Sequence, residues 1–125
     1  MSAHLDTSEL EAFATRLGVA AGQVRRAVQP TLSKAGLNVK DAYAAQARSS
    51  RHFRPLAHTV SYDILPDGMS VEIGPDRARG GGAGLAGFFY GWPRGGGGSG
   101  DLDGPLEQEA AVLGRFAAEA IEGLL

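Results

Sequence analysis

His4, His52 and His58 are the side chains best suited to move a proton or bind a metal near neutral pH. Their spacing serves neither role. No HxxxH or related ligand pattern includes them, and they read as solvated residues. Cys is absent, which excludes disulfides, thiolate metal sites and a cysteine nucleophile. Gly98-Ser99-Gly100 lacks the GxSxG spacing of a nucleophile elbow. Asp101/Asp103 and Glu107/Glu109 are acid pairs two residues apart, a spacing that does not share a helix face. Asp101 and Asp103 are better placed to cap a helix that follows them. No catalytic, cofactor or metal site is expected, and the chain reads as a non-enzyme.

Two clusters retain a binding chemistry. Arg48, Arg51 and Arg54, with His52 and Phe53 among them, could meet phosphates and stack on bases. They could equally be cations favoured at a helix C-terminus, followed by a solvated turn. The stretch 80–100 holds eleven glycines around Phe88, Phe89, Tyr90 and Trp92. It has no GxxxxGK[ST], no Lys follows Lys40, and the tract is not read as a strand–GxGxxG–helix unit. Its aromatics either anchor an interface or fold back on the core. The glycine flanks favour the interface, because they suit a segment that orders on binding.

The elements that must position these residues belong to one domain spanning residues 1–125. Hydrophobic residues make up 43% of the chain, enough for a core. No apolar run approaches the roughly 18 residues that span a bilayer. The first residues lack the basic and apolar regions of a secretory signal. Eight Lys and Arg face four acids in residues 1–60, and four Arg face ten acids in 61–125. The basic and acidic parts can attract each other within a subunit or between copies.

Residues 6–50 are expected to be helical. Leu10, Phe13, Ala14 and Leu17 form a first stripe, capped by Asp6 or Thr7 and stopped at Gly18. A long helix follows from about residue 20 to about residue 50, with Val24, Val28, Leu32, Ala35, Val39, Ala42, Tyr43 and Ala47 on one face. Pro30 should kink or restart it. An antiparallel hairpin is expected over 57–74, turning at Pro66-Asp67-Gly68. Val71 and Ile73 lie on one face of its second strand. The stretch 75–101 is expected to be a long loop, and 102–125 a helix striped by Leu106, Ala110, Leu113, Ala117 and Ile121. Phe116 and Leu124 would widen that stripe. The class is α+β.

This order of parts, with AQARSSRHFRPLAHTVSYDI, VEIGPDR and FFYGWP, resembles the small tail-component family of long-tailed bacteriophages, in its actinobacteriophage-like form. The resemblance implies a structural virion protein at the head-to-tail junction, made in the bacterial cytoplasm. It implies tail completion or connection by a homo-oligomeric ring, sixfold like the tail. It implies neighbouring neck and tail proteins as partners, no membrane and no cofactor. Whether nucleic acid is met is left open; if it is, the contact would be through the lumen, with Arg48, Arg51 and Arg54 as the candidate residues. Phe88, Phe89, Tyr90, Trp92, Val71 and Ile73 are the expected contacts between copies. A tail terminator, or a small nucleic-acid-binding regulatory module, are the alternatives.

Overall fold

The computed structural model describes residues 3–7, 12–13, 15–18, 21–66, 68–76, 82–91, 98 and 100–124. The fold is α+β. Its described elements are strand β1 (Ala3–Asp6), helix α1 (Ala21–Ser49), a 3-10 helix (Arg54–Thr59), strands β2 (Val60–Ile64) and β3 (Ser70–Pro75), helix α2 (Gly82–Tyr90) and helix α3 (Asp103–Glu122).

Helix α1 is the frame. It runs 29 residues without a break and contains Pro30, so at about 1.5 Å per residue it is about 43 Å long. Pro30 is exposed, where its ring meets solvent rather than packed side chains. The expected apolar face is the buried face: Val24, Val28, Leu32, Ala35, Val39, Tyr43 and Ala47 are all buried, and Ala42 is half-buried.

The strands form one antiparallel sheet in the order β1-β3-β2. The hairpin pairs Tyr62 with Ile73 and Ile64 with Val71. Its turn closes with the Gly68 N–H donating to the Leu65 carbonyl at 2.9 Å, and Gly68 takes φ 69°, as the turn chemistry requires. Asp67 lies outside the described residues.

Asp6, expected to open the helical stretch, lies in a strand instead. Residues 3–6 pair with β3, Leu5 opposite Val71, and Thr7 extends the ladder with its N–H donating to the Met69 carbonyl. Asp6 is therefore not the expected helix cap, while Thr7 is buried beside the sheet; the first helical residues it was expected to cap lie outside the described residues. A four-residue strand is too short to show its period in sequence; it is held by the hairpin it joins. Ala12, Phe13, Thr15 and Arg16 are helical, and Gly18 ends the turn at φ 84°. Phe13 and Leu17 are nevertheless 46% and 45% exposed; Leu10 and Ala14 lie outside the described residues.

Two further corrections concern connectors. The segment before the hairpin is a 3-10 helix, with Pro55 in its first turn and Thr59 Oγ1 donating to the Leu56 carbonyl at 2.6 Å. The stretch 75–101 is not all loop, since α2 occupies its centre.

The core lies between α1 and the inner sheet face. Leu5, Val60, Val71 and Ile73 meet Leu32, Ala35, Val39 and Tyr43 there, with Leu85, Phe88, Phe89 and Leu113 closing the sides. A smaller cluster of Val24, Val28, Met69, Ala117 and Ile121 joins the start of α1 to the end of α3. Gly36 lets α1 approach the sheet closely: a Cβ there would lie 2.9 Å from Val71 Cγ2 and 3.0 Å from Tyr62 Cδ2.

Candidate assembly surfaces

Four of the expected interface residues are buried in the fold. Val71 and Ile73 are fully covered, and Phe88 and Phe89 are 4% and 7% exposed. The sequence reading of these as contacts between copies is corrected: in this chain they are core. The rings form a continuous path. Tyr43 and Phe89 have centroids 5.2 Å apart, Phe89 and Phe88 4.9 Å, Phe88 and Phe53 4.9 Å, and Phe53 and His52 4.8 Å. Tilted and edge contacts of this kind add to the burial itself. Tyr90 is 58% exposed and remains available. Trp92 lies outside the described residues.

Part of the glycine content has a packing reason. The Gly100 N–H donates to the Phe88 carbonyl at 2.9 Å. A Cβ on Gly100 would lie 2.5 Å from Phe89 Cδ1, so only glycine lets the backbone pass so close to the ring. Gly82-Ala83-Gly84-Leu85-Ala86-Gly87 does have GxGxxG spacing after a strand, which the sequence reading passed over. Its glycines lie inside α2, and the sheet is antiparallel. The parallel β-α-β unit that gives the motif its phosphate site is not the arrangement here.

The junction of α1 and α3 is fastened by polar groups. Tyr43 Oη donates to the Leu102 carbonyl at 2.8 Å. The Gln46 amide bonds Asp101 at both backbone groups, donating to its carbonyl at 2.7 Å and accepting from its N–H at 2.6 Å. Asp101 Oδ1 in turn accepts the Gly104 N–H at 3.0 Å, capping α3 as expected, whereas Asp103 is already inside the helix. Burial, with the nearby Asp103 and Asp101 carboxylates adding to it, holds the Tyr43 phenol well above its ordinary range.

Three surfaces stand exposed. The first is a groove of about 320 Å³ between α1 and α3, lined by Pro30, Ala35, Val112, Leu113 and Phe116 with Lys34 and Glu109 beside them. Phe116 is 45% exposed and Leu124 39%. They do not widen the buried stripe of α3. With Val112 and Ala120 they form a second stripe at intervals of four, on its flank. Ala110, expected in the inner stripe, is exposed. The second surface is the sheet. Its outer face is polar, with Asp63 opposite Glu72 and His4 on the other side of Glu72. A cleft of about 350 Å³ there is lined by Ser61, Asp63, Glu72, Pro75 and Asp76. Its two edge strands, β1 and β2, each pair only with β3 among the described strands. The third surface is the exposed set Arg48, Arg51, His52 and Arg54 at the end of α1.

Among the described residues, no three His, Asp or Glu side chains come together as a metal site. Among them too, no helix is long and apolar enough to cross a membrane. No family model, curated protein or solved structure matches the chain.

Proposed function

We propose that this chain is a structural subunit of a bacteriophage head-to-tail junction, acting in tail completion or connection by closing into a ring of six copies. It works by contact between copies and with neighbouring neck and tail proteins, without catalysis. The phage setting rests on the sequence resemblance alone. The observation that carries the assembly reading is the sheet, whose edge strands β1 and β2 each pair only with β3 among the described strands. Hydrogen bonds from Leu65 N–H to the Ser70 carbonyl and from Asp76 N–H to the Thr59 carbonyl set the phase of the β2–β3 ladder. Odd-numbered residues of β2 therefore bond β3, and Tyr62 and Ile64 turn their backbone N–H and C=O groups outward. An edge of this kind accepts a further strand. Pairing of the β1 edge of one copy with the β2 edge of the next would be heterologous, and repeated copies close into a ring if the rotation is right.

Mass measurement of the purified chain, alone and mixed with tail tubes, tests the proposal. The expected outcome is a closed ring, formed in solution or on the tube end. A tight dimer that ignores tail tubes overturns it.

A further inference from the structure

We propose that Arg48, Arg51 and Arg54 form a binding site for the phosphate backbone of double-stranded DNA. All three are exposed, with His52 and His58 exposed beside them. They are gathered at one end of the molecule because the turn after Ser49 brings the 3-10 helix back against α1. Arg54 Nε donates to the Arg48 carbonyl at 3.1 Å. That bond fixes the Arg54 stem and occupies one carbonyl of the helix end, while the terminal amino groups of Arg54 are not used by it.

The charge balance favours an anion. No acid occurs in sequence between Asp41 and Asp63. Asp101 is held against this end of α1 by Gln46, and its carboxylate is engaged at the start of α3. A helix C-terminus carries a partial charge of about −0.5, which three guanidinium groups outweigh. Every permanent cation in the patch is Arg, whose planar fork matches phosphate oxygens in pairs. Neither described cavity is lined by these residues. A row of surface phosphates needs no cavity, so an extended nucleic-acid backbone suits this exposed set.

The inference does not depend on ring formation, although a ring would multiply a weak contact. Neutralising about three phosphates gives a slope of log affinity against log salt near −2.7, so raising salt from 50 to 200 mM weakens binding about 40-fold. The test is anisotropy of a labelled duplex titrated with the purified chain to about 10⁻⁴ M, the weak end of non-specific binding. The expected result is binding at 50 mM salt with that salt dependence. The triple variant Arg48→Ala, Arg51→Ala, Arg54→Ala should lose at least about tenfold and flatten the slope, and the triple Lys variant should keep the slope. Arg51→Glu reverses one exposed turn charge without touching the core, and covers the case in which the triple variant fails to fold. No binding at 50 mM salt, or equal binding by Arg51→Glu, overturns the inference. A chain that forms rings yet ignores the duplex does so too, and leaves the assembly reading intact.

Discussion

Tyr43 shows how one residue can join three parts of a fold. Its ring packs on Phe89 from α2, its backbone belongs to α1, and its hydroxyl holds the carbonyl just before α3. Removing the hydroxyl leaves that carbonyl without this donor, so Tyr43→Phe should cost about 1 kcal/mol in denaturant unfolding. It should also change the alkaline limb. The folded phenol has a raised pKa, so the folded state holds its proton more tightly than the unfolded chain. Stability from this group is therefore complete below the unfolded value of about 10 and falls as pH rises above it. Unfolding measured at pH 8 and pH 11 should show a loss in the native chain that is smaller in Tyr43→Phe. An equal loss in both chains would place the alkaline weakness elsewhere. Gly36 is the second such residue. Alanine there should gain up to about 1 kcal/mol of helix propensity. Against that, its Cβ would press on Val71, which is fully buried and cannot step aside. Overpacking costs about 1–3 kcal/mol, so Gly36→Ala should lower the unfolding midpoint, and a rise would mean that α1 can lift off the sheet.

Among the elements, α2 separates the two readings of the glycine-rich stretch. Three of its nine residues are Gly, which weakens any isolated helix. It is held by Leu85, Phe88 and Phe89 in the core. Phe88→Ala should therefore destabilise the monomer by about 3–5 kcal/mol, read from the denaturant midpoint. A docking loop would instead lose assembly at unchanged stability. This element also marks where sequence stops being readable. The α1 face and the hairpin were legible because their periods, four-and-three and two, persist over many residues. Helix α2 has no polar face to create a period, and its glycines argue locally for a loop. Only the rings of Tyr43 and Phe53, brought from distant parts of the chain, decide the matter. Strand β1 failed for a related reason, since Ala3–Asp6 carries a single inward apolar residue whose burial is described, Leu5. On α3 periodicity found the core face of Leu113, Ala117 and Ile121, but it could not say that Ala110, Phe116 and Leu124 face out.

At the scale of the whole molecule, the basic first half and acidic second half meet inside one subunit, because α1 packs along α3 and the sheet. Charge asymmetry is thus no independent sign of contact between copies. Among the described residues, what is left is the outward backbone of Tyr62 and Ile64 on the β2 edge and an apolar groove beside Phe116. The two surfaces make different demands. Edge pairing must protect particular amides, whereas groove docking must cover a ring and leave the amides unchanged. Amide hydrogen exchange on the free chain and on the assembled form distinguishes them. In the free chain, Tyr62 and Ile64 should exchange fast while Ser61 and Asp63, which bond β3, exchange slowly. On assembly through the β2 edge, protection should appear at Tyr62 and Ile64 and leave Ser61 and Asp63 as they were. If those two amides stay fast in a ring of confirmed mass, the β2 edge is not the joint. Phe116→Glu then becomes the informative variant: ring formation lost at unchanged monomer stability would place the joint in the groove, since Phe116 is half out of the core and its replacement costs little folding energy.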